Sequence, residues 1–360
     1  MKEIKDKIAQ LLGRSEKSVL SSDARELYRG KTVLVTGGGG SIGSELVRIL
    51  ATLSPRKIII LDIYENNAYD LSMELFHKYG SALDIVVEIG SVRDVSRLEE
   101  IFSIYKPEIV FHAAAHKHVP LMEHSAREAI KNNVLGTYNT ANMAEKYGAE
   151  KFVFVSTDKA VNPTSIMGAT KRISEQIISC RNDGKTSFCS VRFGNVLGSA
   201  GSVVPLFMRQ ISEGGPITLT DKRIVRYFMS IREAAELLLE AGAMAKRGEL
   251  FILDMGEPVK IFDLAEAMIK KYASSDAEIE IIEVGLRPGE KLYEELLVDP
   301  KRHYKTSSSK IFVEREKAKT RAEMETIIDI FCDFLSNDSP NDNKNTFKNT
   351  IKSIIPEYTL

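Results

Sequence analysis

The stretch from Val155 to Lys171 places Ser156, Thr157, Asp158, Lys159 and Lys171 within one passage from an apolar run into a helical pattern. Hydroxyl, carboxylate and amine held this close by the backbone are the parts of a proton-transfer site. Met167 and Lys171 are four residues apart and share a helix face. A second chemical signature lies upstream, where Thr36-Gly37-Gly38-Gly39-Gly40-Ser41-Ile42-Gly43 follows the run Thr32 to Val35 and precedes the helical run Ser44 to Leu50. Glycines at 37, 40 and 43 permit a tight turn, close backbone approach to a pyrophosphate and close helix packing, while Ser41 and Ile42 open a helix whose N-terminus faces the anion. Asp62 ends the next apolar run, where a carboxylate accepts both ribose hydroxyls of NAD and repels the 2′-phosphate of NADP. No Arg or Lys follows from Asp62 through Phe76, so NAD is the expected cofactor. In Phe111-His112-Ala113-Ala114-Ala115, the small Ala113 and Ala114 let backbone lie flat along that cofactor. His112, His116 and His118 lack a Cys or carboxylate at ligand spacing, and no metal is expected.

These groups need a scaffold that brings several strand ends to one edge. The runs Thr32 to Val35, Lys57 to Leu61, Asp84 to Glu88, Glu108 to Phe111, Lys151 to Val155 and Ser187 to Arg192 are continuously apolar or β-branched rather than alternating. Such runs suit strands buried on both faces, and with helical stretches between them they predict an α/β fold with a doubly wound parallel (Rossmann) sheet. After Asn195 the rhythm changes, with helices near Ile231 to Lys246 and Ile261 to Tyr272 and strands at Leu250 to Leu253 and Ile279 to Glu283. This predicts a second, smaller α/β substrate-binding lobe. The expected division is an accessory helical segment over 1–30, a nucleotide domain over 31–194 with later returns of the chain, and a lobe drawn mainly from 195–360. Ile4, Ile8, Leu11 and Leu12 carry the helical spacing of the first segment. Asn337 to Asn345, rich in Asn, Asp, Ser and Pro, predicts a loop before a last segment, Phe347 to Tyr358. The helical patterns from Ala126 to Tyr147 and after Ser165 are long enough to form a paired-helix surface for a homodimer or higher homo-oligomer.

Composition sets the bounds. The 360 residues fit two domains at roughly 150 residues each. A chain 43% hydrophobic and 28% charged is too apolar for general disorder. Forty-nine basic against 50 acidic residues give a net charge of -1, so no global attraction to nucleic acid or an anionic membrane is expected. Three cysteines without a CxxC pair fit a reducing cytoplasm. No window reaches the roughly 18 to 20 apolar residues of a membrane span, and Met1 to Lys7 lacks the apolar core of a signal peptide, so a soluble protein is expected.

The glycine loop, the Val155 to Lys171 segment, Arg192-Phe193-Gly194-Asn195-Val196-Leu197-Gly198-Ser199 and Leu286-Arg287-Pro288-Gly289-Glu290-Lys291-Leu292-Tyr293-Glu294-Glu295-Leu296 follow one another in an order that resembles the extended short-chain dehydrogenases/reductases. Within them the chain is similar to the nucleotide-sugar 4,6-dehydratases of bacterial polysaccharide and protein-glycan biosynthesis, over about residues 31 to 300. The wider superfamily has Tyr four residues before the helix lysine, as base toward a substrate hydroxyl; here it is Met167, whose thioether takes no proton at neutral pH. A branch of the dehydratases shares this departure. Its membrane-anchored members have a catalytic half that begins with a segment like Leu11-Leu12-Gly13-Arg14, and the chain resembles that half without the anchor.

The resemblance implies dehydration of UDP-N-acetylglucosamine to the UDP-4-keto-6-deoxy sugar with C5 retained, NAD+ borrowing a hydride from C4 and returning it to C6. It assigns Lys159 as the base at C5, neutral through burial near Lys171 and the nicotinamide, Asp158 as the acid at the C6 oxygen, and Lys171 to the nicotinamide ribose. The C4 proton falls to Thr157 or Ser156, through water or Asp158. Consecutive strand residues point to opposite faces, so Asp158 and Lys159 can both serve only if the chain leaves extended geometry after Thr157, an exit that Asn162 and Pro163 favour. Asn195, Arg226, Arg287 and Glu290 are the implied contacts to the nucleotide diphosphate or sugar, with Lys117 near the sugar loop. Inversion at C5, a GDP-linked substrate, 4-epimerisation and a non-catalytic NAD-binding scaffold are the competing readings. The Asp158-Lys159 pair argues against epimerisation, which needs no elimination.

Overall fold

The computed structural model describes residues 18–274, 278–296, 303–314, 318–336 and 344–359. The helical spacing of Ile4 to Leu12, the Leu11 to Arg14 segment and the predicted loop as far as 343 lie outside them. Seven parallel strands, β1 (Thr32–Thr36), β2 (Lys57–Asp62), β3 (Ile85–Ile89), β4 (Ile109–His112), β5 (Lys151–Val155), β6 (Ser187–Arg192) and β7 (Glu249–Leu253), form one sheet with an antiparallel edge of β8 (His303–Lys305) and β9 (Ile311–Glu314). The strand order is β8-β9-β7-β6-β5-β4-β1-β2-β3, the doubly wound Rossmann arrangement.

The continuous apolar runs arise because both faces are covered. Val33, Val35, Ile58 and Ile60 enter one core cluster, while Leu34, Ile59 and Leu61, alternating with them, enter another. The short helix Ser22–Tyr28 is pinned to the first face by Tyr28, whose hydroxyl donates to Leu239 O at 2.6 Å.

The smaller lobe has its own core, in which the helices Val203–Ser212 and Ile261–Tyr272 pack Val204, Phe207, Leu264 and Met268 against Ile217, Leu219 and Phe228. It is discontinuous in sequence. β7, β8 and β9, all beyond residue 195, return to the large sheet.

The predicted helix from Ala126 to Tyr147 is broken by a π-helical stretch, Ile130–Leu135, between Ala126–Ala129 and Gly136–Lys146. Asn133 in that stretch accepts from His116 N at 2.8 Å and donates to His116 O and Thr170 Oγ1, both at 3.0 Å. The widened turn thus carries side-chain bonds to two neighbouring segments. The paired-helix surface expected to receive a second copy is covered instead by the chain itself. Met324, Ile327 and Phe331 of Arg321–Ser336, with Phe347, Ile351 and Ile354 of Lys344–Ile354, pack on Ile130, Val134, Ile173 and Ile177.

Candidate active site

The glycine loop joins β1 to the helix Ser41–Leu50 beside the point where neighbouring strands diverge, β2 on one side and β4 on the other. Gly37 has φ of 64°, and a Cβ there would lie 2.7 Å from Ala114 N; a Cβ on Gly43 would lie 2.2 Å from Gly37 O. The turn is therefore closed to any side chain at either position. Gly40 caps the helix without a side-chain acceptor, so the leading amides of Ser41, Ile42 and Gly43 are left for an anion. Asp62, at the end of β2, accepts from Gly39 N at 2.8 Å and Tyr64 N at 2.9 Å, which fixes its carboxylate against the loop with lone pairs to spare. Ala113 and Ala114 continue β4 across from Gly37. These residues fit a dinucleotide, with pyrophosphate at the helix start and ribose at Asp62.

The three histidines have separate surroundings. His112 is fully buried between Thr36 Oγ1 at 2.7 Å and Thr137 Oγ1 at 3.1 Å, and burial followed by the Lys171 charge pushes its pKa down to about 3. His118 packs against Gly201 at the cavity, and His116 presents its backbone to Asn133. Among the described residues no three His, Cys, Asp or Glu side chains are grouped to hold a metal ion.

The reactive segment leaves extended geometry where the sequence requires it to. β5 ends at Val155, and Thr157 caps a single 3₁₀ turn, Asp158–Ala160, bringing Lys159 Nζ within 3.0 Å of Asp158 Oδ1. Thr157 Oγ1 donates to the same oxygen at 2.8 Å. Ser156 Oγ is buried and committed to Glu175 Oε1 at 2.6 Å, which leaves Thr157 as the hydroxyl beside Asp158. The following helix, Ile166–Ser179, packs so tightly on the turn that a Cβ at Gly168 would lie 2.2 Å from Lys159 O. Met167 is buried within the apolar cluster under the C-terminal helices.

The charge state of Lys159 differs from expectation. Burial alone lowers its pKa, but Asp158 and then Glu294, whose Oε1 lies 3.4 Å from Nζ, more than reverse this, so the ammonium is held above its ordinary range. Lys171 behaves oppositely. Its Nζ donates to Val155 O at 2.6 Å and lies 3.9 Å from the Phe154 ring centroid. Burial, only partly offset by Glu175, brings its pKa down to about 7.

An unfolded lysine keeps its proton to about pH 10.4, so between there and the folded value the unfolded state binds more protons and stability rises with pH. Lys171→Met should flatten that rise. The melting temperature of the variant is expected to exceed the parent's by most below about pH 7, with the gap shrinking towards about pH 10. A gap independent of pH would contradict burial as the cause.

A cavity of about 280 Å³ opens between the large sheet and the smaller lobe, lined by Lys117, Lys159, Asn195, Arg226, Arg287, Glu290 and Glu294 among others. All five residues expected to touch substrate are therefore brought together. Lys117 Nζ donates to Ala200 O at 2.9 Å, Glu290 accepts from Thr220 Oγ1 at 3.2 Å, and Arg287 stands at the exposed rim. Arg226 is buried, and its guanidinium donates to Val225 O, Leu292 O and Lys291 O, so its fork holds the cavity wall. Thr157, Asp158, Met167 and Lys171 are not among the lining residues.

Sequence reasoning gave no role to Glu294, or to the fully buried Arg192, which joins Glu175 and Glu314 at 2.7 Å each. Their signal was present only as motif membership.

Residues 33–316 match the family described as "Polysaccharide biosynthesis protein". "Capsular polysaccharide biosynthesis protein CapD" of Staphylococcus aureus is 48% identical over 337 residues, covering 93% of this chain and 55% of that one, so the chain spans about half that relative's length. "UDP-N-acetylglucosamine 4,6-dehydratase (inverting)" of Campylobacter jejuni is 34% identical over 283 residues, 77% of this chain and 80% of its own. Among solved structures, Pen from Bacillus thuringiensis superposes with a TM-score of 0.75 at 35% identity, covering 82% of this chain and 92% of that one. Among the described residues no helix is long and apolar enough to cross a membrane. The matched span takes in the glycine loop, the Thr157 to Lys171 segment and the Arg287 to Glu294 wall of the cavity, and the chain belongs to the polysaccharide biosynthesis protein family.

Proposed function

We propose that the chain carries out the redox-neutral, NAD-dependent 4,6-dehydration of UDP-N-acetylglucosamine to the UDP-4-keto-6-deoxy sugar, with C5 retained. The observation that carries this reading is the hydrogen-bonded group Thr157, Asp158 and Lys159, with Lys159 at the wall of the cavity. When bound, NAD+ supplies the chemistry of accepting a hydride from C4 and returning it at C6. Gly37, Gly40, Gly43, Asp62, Ala113 and Ala114 would hold it, with Lys171 at the nicotinamide ribose. Gly43→Ala is expected to weaken NAD binding about tenfold or more, because the added methyl meets Gly37 O at 2.2 Å, and isothermal titration checks this.

Thr157 Oγ1 takes the C4 hydroxyl proton and hands its own to Asp158 Oδ1. The C4 ketone acidifies the C5 hydrogen, which Lys159 removes. A charged lysine is no base, and Asp158 by then holds the C4 proton, so the Lys159 proton passes to the Glu294 carboxylate, whose Oε1 lies 3.4 Å from Nζ, and leaves a neutral amine. Lys159 takes the C5 proton, the proton on Asp158 leaves with the C6 oxygen as water, Lys159 then returns its proton to C5 and recovers its own from Glu294, so the ion pair is restored without net proton gain. In the reading carried by the resemblance, Asp158 is that acid.

Incubation with UDP-N-acetylglucosamine should lower the sugar-nucleotide mass by one water, with proton NMR showing retained C5. Unchanged mass with folded protein would end the UDP reading, and the GDP-linked sugar is then the substrate to try. An inverted C5 would give the chain the outcome printed in the name of its C. jejuni relative.

A further inference from the structure

Asn162 stands between the turn that presents Lys159 and the helix that carries Lys171. Its φ of 37° is left-handed, a conformation that a residue other than glycine keeps only where its surroundings hold it. One side is held by the wall of the cavity. Lys291 Nζ donates to Val161 O at 2.9 Å, Asn162 Nδ2 to Glu295 Oε1 at 3.3 Å, and Thr164 Oγ1 to Gly289 O at 3.1 Å. The other side is held by a segment far along the chain. Beyond the helix Lys344–Ile354, Thr359 N donates to Pro163 O at 3.1 Å.

That segment meets the reactive helix at two further points. Glu357 Oε1 accepts from Arg172 Nε at 3.0 Å, on the residue directly after Lys171. Lys348 Nζ lies 3.5 Å from Glu123 Oε2, and Glu123 Oε1 accepts from Ile166 N, the first amide of the helix, at 2.7 Å. Between these anchors Ile355 and Tyr358 are fully buried in the cluster that also takes Ile166 and Met167. Apolar burial is non-directional and would by itself describe a cover. The polar anchors are directional. They fall on the Asn162 turn, on the start of the helix and beside Lys171, the places that set where Lys159 and Lys171 stand relative to each other. Thr164 and Ser165, inside this span, line the cavity.

We propose that Phe347 to Thr359 form a positioning strap for the reactive segment, in which Lys348 acts through Glu123 and Glu357 through Arg172. Neither Lys348 nor Glu357 lines the cavity, so both are positioning residues. The role rests on the dehydratase reading and adds to it the part of the chain that keeps Lys159 and Lys171 in place against the sugar and the nicotinamide. With the anchors released, the helix Ile166–Ser179 can shift on its apolar bed while the glycine loop, which makes none of these contacts, stays where it is. A displacement of about 1 Å at a reacting group costs as much as 10²-fold in rate.

The test compares Lys348→Met combined with Glu357→Gln against the parent and against Phe331→Leu, which thins the same apolar cluster from the helix Arg321–Ser336 and keeps the polar anchors. Amide hydrogen exchange by mass spectrometry, melting temperature and steady-state turnover of UDP-N-acetylglucosamine are measured on all three. The double variant is expected to exchange about tenfold or more faster across residues 160–169, with the glycine loop unchanged. Well below its melting temperature it should lose kcat by about 10- to 10²-fold at an unaltered KM. Phe331→Leu should lower the melting temperature without that loss of kcat, and Glu357→Asp, which keeps the charge, should turn over faster than Glu357→Gln. If the double variant does not fold, Glu357→Gln alone carries the same expectations. Unchanged exchange across 160–169 in a folded variant, or a fall in kcat for Phe331→Leu equal to that of the double variant, overturns the proposal. A parent protein that removes no water from the sugar nucleotide overturns the dehydratase reading instead, and the exchange comparison then still decides for or against the strap.

Discussion

Lys159→Ala removes deuterium uptake at sugar C5 and, with it, dehydration, lowering turnover by about 10²- to 10⁴-fold. The expectation follows from position. Among the described residues Lys159 is the one amine that both lines the cavity near the turn and is hydrogen-bonded to Asp158 in the reactive segment. Reduction of nicotinamide by the C4 hydroxyl should survive in part, because Thr157 keeps its bond to Asp158. Loss of the ammonium leaves Asp158 and Glu294 facing each other without their shared cation, so the melting temperature is measured alongside. Full C5 deuteration by a folded Lys159→Ala protein would remove Lys159 from the base role.

Arg192→Ala is the second large effect, on stability instead of rate. The guanidinium is fully buried and donates to Glu175 Oε1 at 3.0 Å and Oε2 at 2.7 Å, to Glu314 Oε2 at 2.7 Å and to Leu296 O at 3.2 Å. Burial raises the Glu175 pKa, but Arg192, Arg172 and Ser156 overcome this and hold it ionised below its ordinary range. Taking away the arginine strips a buried carboxylate of its main counter-charge, which costs roughly 3–5 kcal/mol. Urea denaturation measures the loss. Arg192→Ala combined with Glu175→Gln should recover part of it, since the uncompensated charge is gone, and a loss under about 1 kcal/mol would show that the network is energetically idle.

Arg192 also shows how far a sequence can be read. It stands in a motif that signalled the family, next to residues that line the cavity, yet its side chain points into the sheet and ties β6 to the antiparallel edge strand β9. The departure of Lys159 from the neutral state expected of it has the same origin. Its neighbour Asp158 was visible, but Glu294 arrives from far along the chain and adds a second carboxylate. The helix-pair surface expected to accept another copy is filled by Met324, Phe331, Phe347 and Ile351, whose destination no local pattern announces.

What was legible was whatever is encoded over a few neighbouring residues. Unbroken apolar runs specify strands covered on both faces, and glycines between a strand and a helix specify a turn where no Cβ fits; Asp62 at a strand end and the hydroxyl, carboxylate and amine after Val155 belong to the same class. Tertiary structure alone decided which carboxylate faces the cavity, which state Lys159 rests in, and what covers the helix pair. Each of those depends on the distance and burial of groups widely separated in the chain. Electrostatic interaction and desolvation act through space, so they become definite only once the fold has set those distances.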